Sequence, residues 1–305
     1  MLKQLILGFS IVTLTLAGGC ASPGPDAANP PAGAERPLVT GAIPDQDPEQ
    51  LQRLYGKLTQ YLSKELGVPV TYKPVTDYTA AVTAFRTGNL DLVWFGGLTG
   101  VQAQLQVPNS RAIAQRDIDA QFTSVFIAHR SANVQPFTEA SQLQQLKGRR
   151  LTFGSESSTS GRLMPQYFLQ QNGVNLTDFK GEVGFSSSHD ATLKLVESGT
   201  YEVGALNAQV WRDRLAEGKV DQTAVQVIWE TPPYFDYHWV LHPDVAQEYG
   251  SDFADRVQVA LLSLDPQVPE QKEILDLFGA ERFIPTKNEN YAQIEAIGRE
   301  VGKIQ

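Results

Sequence analysis

The densest chemistry in this 305-residue chain lies in two runs of small hydroxyl residues. They are Ser155-Glu156-Ser157-Ser158-Thr159-Ser160-Gly161-Arg162 and, some thirty residues later, Ser186-Ser187-Ser188-His189-Asp190. Each follows a short apolar segment and precedes an amphipathic one, the position where a strand ends and a helix begins. The first N–H groups of a helix have no partner inside it and carry the positive end of its dipole, so a hydroxyl-lined helix start suits an anion. Two such starts facing one another can wrap a tetrahedral oxyanion. Ser158, Thr159 and Ser160 are the candidates from the first run, and His189 from the second. The same serines are good helix caps without any ligand, and His189 can equally be a capping or loop histidine. If its ring N–H is aimed at an anion, the imidazolium is favoured, and affinity is expected to weaken as pH rises.

A second chemistry uses the same residue types. Ser160, His189 and Asp236 supply a nucleophile, a base and an orienting carboxylate, the parts of a serine hydrolase. Ser160 lies in no Gly-x-Ser-x-Gly elbow, however, and nothing fixes the triad geometry. Arg162 either lends charge to the first run or faces solvent. His238 and His242 are four apart, but Pro243 and the strand-like Trp239-Val240-Leu241 argue against a helical metal pair, so neither metal nor cofactor is expected. Among oxyanions, the choice turns on Asp190 and Asp236. Sulfate and selenate near neutral pH only accept hydrogen bonds, whereas phosphate and monoprotonated phosphonates carry an O–H that needs an acceptor. A carboxylate facing the anion selects a phosphorus oxyanion; without one, selenate or sulfate is favoured.

The elements that must position these residues alternate. A strand over Pro37–Pro44 leads to a helix opened by Asp47-Pro48-Glu49, with Leu51, Leu54, Tyr55, Leu58, Tyr61, Leu62 and Leu66 at helical spacing and Gly67 at its end. Val68–Tyr72 reads as a strand, Asp77-Tyr78-Thr79 as a helix start, and Leu90–Phe95 as a buried strand. The grammar recurs: Arg150–Gly154, the first hydroxyl run and a helix through Phe168, then Val183–Phe185, the second run and a helix to Gly199. Strands over Val203–Asn207 and Val225–Trp229 complete the unit. Repeated strand-helix units predict mainly parallel, doubly wound α/β sheets, with ligand loops at the carboxyl ends of the strands and two lobes meeting across a cleft.

At the N-terminus, Lys3 precedes a largely apolar run, Leu5–Leu16, then Ala17-Gly18-Gly19 and the only cysteine, Cys20. This reads as a signal peptide over residues 1–19, too short for a membrane span. It resembles a bacterial lipoprotein signal in which Cys20 is lipidated, the alternative being an ordinary cleaved signal. Residues 20–37, rich in proline, glycine and alanine, suit a flexible tether from that lipid anchor in the membrane. A lone cysteine allows no disulfide within the chain. Hydrophobic content of 42% with 19% charged residues is that of a globular body. The formal charge of −9, with no basic stripe, weighs against nucleic acid as a partner. It repels a small anion at long range as well, leaving ordered amides and hydroxyls at short range to hold it.

Several motifs carry a resemblance across nearly the whole body. Thr40-Gly41-Ala42-Ile43-Pro44 with Asp47-Pro48, Asp77-Tyr78, Asn89–Gly96, Ser158-Thr159-Ser160-Gly161 with Met164-Pro165, and Ser188-His189-Asp190-Ala191 with Gly204-Ala205-Leu206-Asn207 resemble the phosphate/phosphite/phosphonate-binding proteins of ABC importers. Thr231–Trp239 and Glu270–Ala280 are similar to a branch of that family labelled selenate-binding. The resemblance implies a two-lobed type II periplasmic binding protein fold crossing between lobes near 121–130 and 229–240. Lobe 1 is then 38–125 plus 238–305, and lobe 2 is 126–237. It also implies a periplasmic or cell-envelope protein, not an enzyme, that delivers its oxyanion to an inner-membrane permease powered by a separate ATPase. By motif, Thr159, Ser160 and His189 resemble the residues that hold the oxyanion, and Tyr78 an aromatic of the opposite lobe; Ser158 and Asp236 complete the expected ligand set. Tyr78, Trp94 and Tyr237 also fit as plain core aromatics. Phe122, Gly97 and Leu98 depart from the family pattern. No acidic residue stands beside Asn207, where aminoalkylphosphonate binders have one, so aminoethylphosphonate is not expected.

Overall fold

The computed structural model describes residues 36–305; the expected signal peptide, the lipidation site Cys20 and the tether up to residue 35 lie outside the described residues. Contacts of the folded body already include Arg36, ahead of Leu38. The Arg36 guanidinium meets Asp91 at 3.1 Å, and its carbonyl accepts from the Tyr249 hydroxyl at 2.8 Å.

The chain first forms β1 (Leu38–Ala42), α1 (Pro48–Leu66), β2 (Val70–Tyr72), α2 (Tyr78–Arg86), β3 (Leu92–Phe95), α3 (Gly97–Gln106) and β4 (Arg111–Arg116). It then crosses to a second sheet through β5 (Ser124–His129) and β6 (Leu151–Phe153). A wide π-type turn (Thr159–Leu163) runs into α4 (Met164–Gln171), followed by β7 (Gly184–Phe185), α5 (His189–Glu197), β8 (Val203–Asn207), α6 (Ala208–Ala216) and β9 (Val225–Glu230). It returns with β10 (His238–Leu241), α7 (Val245–Tyr249), α8 (Phe253–Leu262), α9 (Pro269–Phe278), β11 (Phe283–Pro285) and α10 (Ala292–Glu300).

Local chemistry explains the boundaries. Asp47 caps α1 by accepting from the Glu49 N–H at 3.0 Å, and Gly67 ends the helix at φ 71°, where a side chain would be strained. Asp77 caps α2 and Ser188 caps α5 in the same way. The predicted apolar stripe of α1 is buried.

Strand order is β11-β4-β10-β3-β1-β2 in one sheet and β7-β6-β8-β5-β9 in the other. Most strands of each sheet run in one direction, as expected; the edge strand β11 is antiparallel to β4, and two strands are antiparallel insertions, β10 against β3 and β4, and β5 against β8 and β9. Each inserted strand enters from the other lobe and so runs against its neighbours. Between β4 and β5, and again between β9 and β10, the chain passes from one sheet to the other. These passages pair: Phe122 and Tyr234 exchange two backbone hydrogen bonds of 2.9 Å, and the Asp236 N–H donates to the Asp119 carbonyl at 3.1 Å. Leu163 and Met164, from the π-type turn and α4, pack into the apolar core of the first lobe. Among the described residues no helix is long and apolar enough to cross a membrane.

Candidate functional site

The loops at the carboxyl ends of the strands converge between the lobes. After β6, Ser158 accepts the Gly161 N–H at 2.9 Å, so its oxygen caps the turn while its O–H stays available. The turn is widened to the i→i+5 pattern, with Leu163 N–H donating to the Ser158 carbonyl, a distortion often found at functional sites. From the facing lobe, the first N–H groups of α3 reach across. Leu98 N–H donates to Thr159 Oγ1 and Gly97 N–H to Asp236 Oδ1, both at 2.9 Å. A Cβ on Gly96 would lie 3.2 Å from Thr159 Oγ1 and 3.3 Å from Asp236 Oδ1, which explains a glycine there.

Three buried polar atoms in this region have no hydrogen-bond partner among the described residues: Tyr78 Oη, Ser160 Oγ and Asp236 Oδ2. The Tyr78 hydroxyl approaches Ser158, and that of Tyr234 approaches Ser160. Asp236 is fully buried, and burial raises its pKa to about 7 against the lowering effect of the Gly97 N–H. Buried polar groups are almost always satisfied. Two hydroxyls and one carboxylate oxygen left over in one cleft thus form a donor-and-acceptor set suited to a small polar ligand.

The Nδ1 of His189 accepts the Asn207 N–H at 3.3 Å, which puts the neutral ring's proton on Nε2, 3.2 Å from the Tyr237 hydroxyl. That hydroxyl also takes the Asn207 side-chain N–H at 3.1 Å and lies near the buried Asp45 carboxyl, whose pKa burial raises and the hydroxyl lowers. Burial pushes the His189 pKa down to about 4, and raises that of Asp45 to about 6. In the ligand-free protein His189 is therefore a neutral donor, because burial disfavours its charge and one nitrogen is committed to a backbone N–H. Asp45, Asn207 and Tyr237 were not in the expected ligand set. Asp45 could have been found from its place just past the carboxyl end of β1.

The hydrolase alternative fails on the same contacts. His189 bonds Tyr237 and Asn207, Asp236 bonds Gly97, and Ser160 Oγ bonds nothing, so the three form no relay.

Asp190 is engaged at the rim, where the two lobes meet. Its carboxylate is held by Arg214 at 2.5 and 3.1 Å and by the Asp47 N–H of the opposite lobe at 3.0 Å, while the His189 N–H meets the Asp45 carbonyl at 2.9 Å. This is a saturated clasp at the rim. Tyr237 and Trp94 stack with centroids 5.7 Å apart, and the Arg116 guanidinium, paired to Asp119 at 2.6 Å, lies over Tyr237. His238 serves the second crossing, its Nδ1 lying 3.1 Å from the Asp236 carbonyl; a Cβ on Gly100 would come within 2.3 Å of its ring. His242 instead accepts the Asp244 N–H, so the two histidines serve different places.

Two α/β lobes joined by paired crossings, with buried, unsatisfied polar atoms gathered where their loops converge, define a type II substrate-binding protein. Residues 40–291 match the family described as "ABC transporter, phosphonate, periplasmic substrate-binding protein", and the chain belongs to that family. It is the extracytoplasmic substrate-binding protein of an ABC importer, not an enzyme. The chain is 49% identical over 269 residues to a protein of Prochlorococcus marinus MIT 9301 named "Probable ABC transporter phosphite binding protein PhnD1", covering 88% of this chain and 91% of that one. The solved structure of PhnD1 in complex with methylphosphonate superposes with a TM-score of 0.86, over 88% of this chain and 98% of that one. A binding component of an ABC phosphonate transporter from Pseudomonas aeruginosa, 20% identical, shares the fold with a TM-score of 0.74, over 86% and 85% of the two chains.

Proposed function

We propose that the protein captures a small phosphorus oxyanion, phosphite or methylphosphonate, between lobes 38–125 plus 238–305 and 126–237, and hands it to an inner-membrane permease driven by a separate ATPase. The observation that carries the choice of ligand is the buried Oδ2 of Asp236, an acceptor among donors. A sulfate or selenate oxygen would face a second negative charge there, whereas a P–O–H donates to it. Tyr78, Ser158, Thr159 and Ser160 supply hydrogen bonds to the remaining oxygens, and the Nε2–H of His189 joins them by turning from the Tyr237 hydroxyl to the ligand. The relative named for phosphite and the methylphosphonate complex at 49% identity support the same class. In this reading Cys20 carries the lipid that holds the protein at the membrane. Calorimetry of the wild-type protein against phosphite, methylphosphonate, phosphate, sulfate and selenate tests it. Micromolar or tighter binding of phosphite or methylphosphonate, and far weaker binding of sulfate and selenate, is the expected pattern; tighter binding of selenate would reject it.

A further inference from the structure

Arg162 is 5% exposed, yet its Nε and Nη1 have no hydrogen-bond partner among the described residues. Its guanidinium lies over the rings of Phe153 at 4.4 Å and Phe185 at 4.9 Å. Those phenylalanines are the last residues of β6 and β7, the two strands from whose ends the hydroxyl runs spring. The charge thus sits at the shared base of both helix starts. Among the described residues no carboxylate pairs with it. Glu156 acts on it only at a distance, and that carboxylate is itself exposed and bridged to Lys303 at 3.5 Å. The other buried arginines are neutralised: Arg116 by Asp119, and Arg214 by Asp190.

A buried, unpaired cation costs stability that stacking on two aromatic faces only partly offsets. Burial draws its pKa down to about 10, which still leaves it charged at neutral pH. The molecule as a whole is acidic, with a formal charge of −9, and repels anions at long range. An uncompensated positive charge behind the two anion-holding loops, screened little by water, acts in the opposite sense at short range.

We propose that Arg162 is an affinity-determining residue of the oxyanion site that acts through its field, without touching the ligand, from between the bases of the two hydroxyl loops. This rests on the cleft binding a phosphorus oxyanion. The test is Arg162→Met, which keeps a long side chain between the two phenylalanines and removes the charge. Replacing a buried charge by an apolar side chain of similar volume preserves or raises stability, so the field role and a packing role give opposite signs. Expected are a thermal midpoint of the ligand-free variant at or above that of wild type, and phosphite affinity at pH 7 reduced by about tenfold or more. Two outcomes overturn the proposal: phosphite affinity within about twofold of wild type, or a loss of affinity accompanied by a lowered thermal midpoint. If the wild-type protein binds neither phosphite nor methylphosphonate, it is the ligand assignment that has failed, a result separate from either.

Discussion

Asp190 and Asp236 each accept a backbone N–H at the start of a helix in the first lobe, one at α1 and the other at α3. Their remaining oxygens are treated oppositely. Asp190 is closed off by the Arg214 fork and spans the rim of the cleft as a finished ion pair. Asp236, fully buried, keeps one oxygen without a partner, beside Ser160 and Tyr78 hydroxyls in the same condition. The difference separates two tasks carried out by the same residue type. A saturated polar group ties lobe to lobe whatever the cleft contains; an unsaturated one costs stability until a ligand completes it, so it couples closure to capture and sets which ligand completes it.

The largest expected effect breaks the second half of that comparison. Asp236→Asn keeps an oxygen for the Gly97 N–H but turns an N–H₂ toward the ligand. The preference for phosphite over sulfate should fall by about 10²-fold or more, as when a site built for one hydrogen-bonding pattern meets another. Competition calorimetry in wild type and variant measures the ratio; an unchanged ratio would remove Asp236 from ligand choice.

Ser160→Ala comes next. Losing one hydrogen bond to a charged ligand costs about 1.5–3 kcal/mol, so phosphite affinity should drop by about 10- to 100-fold. The ligand-free protein should melt no lower than wild type, because the hydroxyl removed has no partner to lose. A lowered melting point with unchanged affinity would mean that the hydroxyl serves only the fold.

The rim gives the smallest change. Asp190→Asn weakens the fork to Arg214 while keeping an acceptor for the Asp47 N–H, so a few-fold loss of affinity is expected, with the phosphite-to-sulfate ratio held. Titration of both ligands checks it; a shifted ratio would place Asp190 in contact with the anion.

Much of this was legible beforehand because it is local. Asp47-Pro48, Asp77-Tyr78 and Ser188 announce helix starts by capping chemistry, and the stripe from Leu51 to Leu66 announces the buried face of α1. Ser158 to Ser160 and Asp236 were recognisable as residue types, but their convergence depends on two crossings far apart in the chain. What stayed hidden is long-range pairing. Nothing near His189 in sequence shows that Asn207 and Tyr237 will hold its two nitrogens and keep it neutral, nor that Asp45 will be buried against Tyr237. The antiparallel insertions β5 and β10 escaped for the same reason, since strand direction is set by where the chain re-enters a sheet. Arg162 read as either a charge or a solvated residue; only the stacked rings of Phe153 and Phe185 decide it.

The central claim is that one proton is shared between Asp236 and a ligand oxygen. Burial holds the Asp236 pKa up to about 7, so above that pH the carboxyl is largely ionised in the ligand-free protein, and phosphite is then largely a dianion. Bringing the two together requires a proton from solvent, and affinity should fall about tenfold for each pH unit above both ionisations. His189, its pKa lowered by burial to about 4, is neutral at this pH in the ligand-free protein. Calorimetry of phosphite binding at about pH 8 in buffers of differing ionisation enthalpy counts the proton directly. Uptake of close to one proton in wild type, and close to none in Asp236→Asn, is expected; tight phosphite binding with no proton uptake in the wild-type protein would contradict it.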